Sequence, residues 1–92
     1  TLQEAIQHVT QQSTGFGVSI DIDAINPKQA PGVSTPEENG INSHNFLSSL
    51  ALIANHDCFI GAEIAEFNPD YDVDQKTEKL IAMIIQRLFN LA

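Results

Sequence analysis

Asp21 and Asp23 are the pair in this sequence best suited to meet cations. They close an alternating stretch, Phe16 to Ile22, in which Val18, Ile20 and Ile22 fall on one side of a strand and Ser19, Asp21 and Asp23 on the other. Residues two apart on a strand point the same way, with Cα atoms roughly 6.6–7 Å apart. Carboxylates gathered there repel, burial raises the cost of ionising both, and a divalent cation or a pair of them would relieve the repulsion. Oxygen donors suit Mg²⁺, Ca²⁺ or Mn²⁺, while added imidazoles move the choice toward a transition metal. The plainer reading is two turn acids ahead of Asn26-Pro27. Glu63 and Glu66 sit at the end of a second apolar stretch. Glu66 can receive a cationic ligand group there or simply emerge into solvent. Glu63, within the apolar run, is expected to be a buried acid behind the site or a structural hydrogen-bond acceptor, since a buried charge is costly unless paired.

The remaining polar residues carry less. Asp70, Asp72 and Asp74 imitate the start of a calcium-binding EF-hand loop, but Gln75 stands where that loop requires Gly and Ile81 where it requires Glu. Helix capping accounts for these acids better. His8, His44 and His56 have no metal-type spacing and read as surface or boundary residues. Cys58 reads as a small hydrophobe opening a strand. Ser19 is in no Gly-x-Ser-x-Gly elbow, and no Gly-rich phosphate loop is present.

These residues need a frame to position them. Leu2, Ile6 and Val9 at helical spacing predict a first helix over 2–12, with Gly15 as its stop. A strand over 16–22 follows, then a long loop from Asn26 to Gly40 stiffened by Pro27, Pro31 and Pro36. Loops of that length in compact domains are usually functional or disordered, and the prolines favour order. Ser43 is expected to cap a helix running to about Asn55 that buries Phe46, Leu47, Leu50, Ala51 and Ile53. Cys58 to Ala65 reads as a strand apolar on both faces, as in a parallel sheet covered on both sides. A last helix is expected from about Val73 to Leu91, with Leu80, Ile81, Ile84, Ile85, Leu88 and Phe89 as its buried stripe and Asp72 with Gln75 as a capping box. The order α-β-α-β-α calls for parallel strands joined by a helical crossover. Two strands make no stable sheet alone, so the chain needs a partner or the rest of a larger α/β protein.

Composition agrees with that frame. The chain has 92 residues, 42% of them hydrophobic, with 12 Asp and Glu against 4 Lys and Arg for a formal net charge of −8. An acidic balance of that size argues against nucleic acid and anionic membrane surfaces, which need basic patches. The hydrophobic content excludes a disordered acidic tail. A chain this short buries only about 60–65% of its unfolded surface, so its stability alone would be marginal. One cysteine excludes an internal disulfide and a Cys-rich zinc site. No apolar run approaches the roughly 20 residues of a membrane span, and no signal peptide is visible.

Two motifs then converge. Ser19-Ile20-Asp21-Ile22-Asp23, followed by Asn26-Pro27 and Ala30-Pro31-Gly32-Val33-Ser34-Thr35-Pro36, resembles the signature of the ureohydrolases: the arginases, agmatinases and formimidoylglutamases. Glu63-Ile64-Ala65-Glu66-Phe67-Asn68-Pro69, with Tyr71-Asp72 after it, resembles their second motif in the right order. The resemblance spans nearly the whole chain. It implies a three-layer α/β/α fold with a mainly parallel sheet, the arginase-like fold, of which this chain would be an α-β-α-β-α fragment. It also implies two Mn²⁺ ions sharing a hydroxide that attacks a guanidinium or formimidoyl carbon. By motif match Asp21 and Asp23 would be metal ligands, Glu66 the carboxylate holding the cationic end of the substrate, and Glu63 an acid supporting the site from behind.

The departures are Asn26 for an Asp before Pro27, Asn39-Gly40-Ile41 for Gly-Gly-Leu, and Asn45 for a common Glu. The further ligands that the resemblance implies, a His and an Asp-x-His-x-Asp run on upstream strands, have no match here, so no side chain of this chain is assigned as catalytic. Ala30-Pro31-Gly32-Val33-Ser34 looks nearest to formimidoylglutamases, and Glu66-Phe67-Asn68-Pro69 is nearer the formimidoylglutamase and arginase version than the agmatinase one. Residues 1–92, opening on Thr1 rather than Met, are therefore expected to be the C-terminal fragment of one ureohydrolase domain. The expected reaction of the intact enzyme is hydrolysis of a linear C–N bond, formimidoylglutamate to glutamate and formamide first, with arginase or agmatinase chemistry as the alternative. The intact protein is expected to be cytoplasmic and homo-oligomeric, to act on a small amidine or guanidino molecule, and to need its upstream sequence. The chain alone is expected to be inactive. A non-catalytic interaction module and a calcium-binding acidic domain are the competing readings.

Overall fold

The computed structural model describes residues 1–90. In chain order these form α1 (Leu2–Gln12), β1 (Phe16–Asp21), α2 (Ser43–Ser49), α3 (Ala51–Ala54), β2 (Phe59–Ala65) and α4 (Lys76–Phe89), with short 3-10 turns at Ile22–Ala24 and Pro69–Tyr71. The α/β order read from the sequence is present, with its middle helix in two pieces. No helix among the described residues is long and apolar enough to cross a membrane.

β1 and β2 pair in parallel, with Gly17 opposite Gly61, Ser19 opposite Glu63, Ile20 opposite Ile64 and Asp21 opposite Ala65. Strand alternation sends Phe16 and Ile20 into the core and leaves Gly17, Ser19 and Asp21 exposed. All the larger helices feed that same core, through Ile6, Leu47, Leu50, Ile53, Leu80, Ile84 and Leu88. The opposite face borders a shallow depression along Gly17, Ser19, Gly61 and Glu63, with no helix residue in its lining. Cover on both faces of β2 is therefore corrected: one face is bare among the described residues. Ile60, at the register shift between the strands, has 77% of its surface exposed.

The expected helix over 43–55 breaks at Leu50. Leu50 N–H reaches back only to Leu47 O at 3.2 Å, a tightened turn. The cause is local. Ser48 Oγ donates to His44 O at 3.0 Å and Ser49 Oγ donates to Phe46 O at 2.7 Å, and serine back-bonding of this kind bends helices. The cap is Asn42 rather than Ser43, its side chain accepting from Asn45 N–H at 3.1 Å. Leu47, Leu50 and Ile53 are buried as expected, whereas Ala51 is exposed. α1 ends at Gln12, ahead of Gly15, because Ser13 turns extended and its hydroxyl takes Val9 O at 2.9 Å. Of its expected stripe, Leu2 and Val9 are exposed and Ile6 is buried.

α4 starts at Lys76, after Asp74 and Gln75 in left-handed backbone. Asp72 is therefore not the N-cap residue, yet it performs that function from outside the helix. Its carboxylate accepts from Thr77 N–H at 2.9 Å and Glu78 N–H at 3.1 Å, two of the orphan donors of the first turn. Leu80, Ile84 and Leu88 form the buried stripe, narrower than expected because Ile85 and Phe89 are exposed. The expected helix end at Leu91 lies outside the described residues.

Candidate functional site

The site is built by register. Asp21 ends β1, its ladder partner Ala65 ends β2, and Glu66 follows Ala65 directly. Parallel pairing thus delivers Asp21 and Glu66 to one carboxyl edge, the edge where open α/β sheets bind ligands. Asp23 arrives differently. A shared strand face for Asp21 and Asp23 is corrected, because Asp23 lies in the 3-10 turn Ile22–Ala24 and is half-buried. Ile22 and Ile25 are driven into the core at 0% and 1% exposure, and Ile25 N–H closes the turn on Ile22 O at 3.1 Å. Both the strand and its alternation stop there.

Glu63 lies one pleat behind the edge, opposite Ser19. Ser19 Oγ donates to its Oε1 at 3.0 Å. The expectation of a buried Glu63 is corrected, since it is exposed on the bare sheet face. Ser19 is the residue that sequence reasoning passed over. Its signal was its place two residues before Asp21 on the same face, not any nucleophile motif.

Glu66 has left-handed backbone at φ 70°. Such a conformation in a residue with a Cβ costs of order 1–3 kcal/mol and persists where the surroundings impose it. The long loop supplies the surroundings, and it is ordered. Ala30 and Val33 are buried, and Gly32 accepts from Asn68 N–H at 2.7 Å. At its far end Gly40 and Ile41 close back on Ala24 and Asn26, with Asn26 N–H on Ile41 O at 2.9 Å and Ile41 N–H on Ala24 O at 2.8 Å.

The other candidates are used elsewhere. Asp72 serves α4. Burial pushes its pKa up, but hydrogen bonds from the Thr77 N–H and hydroxyl, Glu78 N–H and Val73 N–H outweigh that and hold it below the usual value. His56 Nδ1 accepts from Cys58 N–H at 3.0 Å with its ring edge-on to Phe16, while His8 and His44 are exposed. Cys58 is half-buried against the core. Among the described residues, no group of three or more His, Cys, Asp and Glu side chains could hold a metal ion. Asp21 and Asp23 offer oxygen donors that fit Mn²⁺ in kind, and further ligands must come from elsewhere.

The model of the arginase family matches residues 1–90. The chain belongs to the arginase family. It is 34% identical over 88 residues to an arginase from Brevibacillus brevis, covering 96% of this chain and 30% of that protein. It is 31% identical over 90 residues to a formimidoylglutamase from Staphylococcus carnosus, covering 98% of this chain and 29% of that protein. Its fold superposes on the arginase of Bacillus caldovelox with a TM-score of 0.88 at 28% identity, over 96% of this chain and 29% of that one. The arginase-like α/β fold expected from the motifs is therefore the fold observed. The chain spans about 30% of the length of the arginase-family relatives it matches. Relatives named arginase, formimidoylglutamase and agmatinase all match it, so family membership does not choose a substrate.

Proposed function

We propose that this chain is the C-terminal part of a metal-dependent hydrolase of linear amidines, with formimidoylglutamate as the favoured substrate and arginine or agmatine as the alternatives. The observation that carries the reading is the register of Asp21 with Ala65, which brings Asp21 and Glu66 to one carboxyl edge, with Asp23 in the turn that directly follows β1. Asp21 and Asp23 would each give carboxylate oxygens to Mn²⁺. Bound metal of this kind acts as a Lewis acid and generates a nucleophile from water at neutral pH. Glu66 would take the cationic amidinium or guanidinium end of the substrate in a charge-assisted contact. Glu63, held by Ser19, would support the edge from one pleat behind. The overall reaction adds water across the C–N bond; for formimidoylglutamate it releases formamide and leaves glutamate. The resemblance of Ala30–Ser34 to formimidoylglutamases supports formimidoylglutamate as the first choice, while Glu66–Pro69, nearer the formimidoylglutamase and arginase version, supports formimidoylglutamate or arginine over agmatine. A cytoplasmic, homo-oligomeric enzyme belongs to the same proposal.

The test uses the full-length protein loaded with Mn²⁺ and assayed on formimidoylglutamate, arginine and agmatine. We expect hydrolysis of at least one, fastest for formimidoylglutamate, and loss of bound Mn²⁺ in Asp21→Ala and Asp23→Ala. The 92-residue chain alone should bind Mn²⁺ weakly and turn over nothing. A metal-loaded protein inert on all three substrates, or variants that keep full metal and full rate, would refute the reading.

A further inference from the structure

Glu66 is held in its left-handed conformation by contacts that Asp21 and Asp23 do not share. Two residues on, Asn68 N–H donates to Gly32 O at 2.7 Å and Asn68 Nδ2 donates to Ser34 Oγ at 2.9 Å. Gly32 is itself pinned, its N–H donating to Oγ1 of the fully buried Thr77 at 2.8 Å. A Cβ on residue 32 would lie 3.0 Å from Phe67 Cε1 and 3.0 Å from Thr77 Oγ1. Anything larger than glycine there must push Phe67 or Thr77 aside by a few tenths of an ångström, and Phe67, the neighbour of Glu66, rests against it. The Gly32–Ser34 segment, anchored on α4, thus grips the chain on the far side of Glu66 and fixes where its backbone can turn.

We propose that Gly32, Ser34 and Asn68 are positioning residues that hold Glu66 turned so that both its oxygens can meet a planar cation. The inference rests on the reading of Glu66 as the substrate carboxylate. Two parallel N–H···O contacts to an amidinium or guanidinium demand a fixed orientation of the carboxylate plane. Left-handed backbone supplies that orientation only while the grip holds.

The experiment uses the full-length, Mn²⁺-loaded protein and three readouts: Mn²⁺ per chain, KM and kcat on the substrate it hydrolyses, and Kd for guanidinium ion, added as millimolar guanidinium chloride. Ser34→Ala should raise KM and the guanidinium Kd about threefold, and Gly32→Ala about tenfold or more, because small misplacements of a binding group cost heavily. Mn²⁺ content should stay unchanged, and kcat should change less than KM. Ser34→Thr, which keeps the hydroxyl, should restore both constants. Ser34 is exposed, so its variants decide the matter even if Gly32→Ala does not fold. Glu66→Gln is the control. If it weakens guanidinium binding while folded Ser34→Ala retains normal KM and Kd, the grip is wrong and the role of Glu66 stands. If Glu66→Gln itself changes neither constant, the role of Glu66 fails and the grip fails with it.

Discussion

Asp72 gathers three backbone donors on one carboxylate, from Val73, Thr77 and Glu78. Because those bonds favour the charged form, its folded pKa is depressed. A depressed carboxylate contributes stability that is fully present above its unfolded value of about 3.9 and is lost as pH falls through the lower folded value. Asp72→Asn should therefore lower stability at neutral pH and flatten the acid limb of a denaturation series; an unchanged acid limb would contradict this. Much of this was legible in the residue types. An acid ahead of a helix was expected to serve its start, but the reach was not, since Asp74 and Gln75 adopt left-handed backbone that no composition rule marks. Ser19 was hidden for a related reason. A serine on a strand has no periodicity of its own, and only the register placing it opposite Glu63 shows what it holds.

Among the elements, the long loop has the sharpest steric demand. A Cβ on Gly40 would lie 2.7 Å from Asn26 N and 2.7 Å from the Ile25 carbonyl carbon. Gly40→Ala should cost about 1–3 kcal/mol in urea denaturation, the range for forcing atoms into a filled space. A loss below a few tenths would mean that the bridge between Ile25 and Ile41 is not a close approach in solution. The strands, the last helix and the carboxyl edge were legible because alternation in Val18 to Ile22 and the Leu80, Ile84, Leu88 stripe report directly on burial. The break at Leu50 was not, because Ser48 and Ser49 turn their hydroxyls onto the helix's own carbonyls, and nothing in spacing announces that choice. Nor was the end of β1, where Ile22 continues the alternation in sequence but enters a 3-10 turn in space.

At the scale of the molecule, the helices among the described residues feed one core on one face of a two-stranded sheet, and no described helix residue lines the depression along Gly17, Ser19, Gly61 and Glu63. Ile60 and Ile41 add exposed apolar surface. Unpaired strand edges and open apolar surface promote association. The isolated chain should therefore bind a hydrophobic dye and grow in size with concentration by light scattering. A monomer that leaves the dye dark would show that the bare face is self-sufficient, and would remove the one feature that favours an interaction module. The long loop has a different consequence. Gly32 and Val33 are held on one side of its tip and Gly40 with Ile41 on the other, while Thr35 to Asn39 are exposed. A break in the chain, or an inserted peptide, between Thr35 and Pro36 would fall between two anchorages, the Asn68 contact with Gly32 and the turn that Gly40 N–H closes on Glu37 O at 3.0 Å. Both severed ends would stay fastened, so the tip is where this scaffold can change length without disturbing its carboxyl edge.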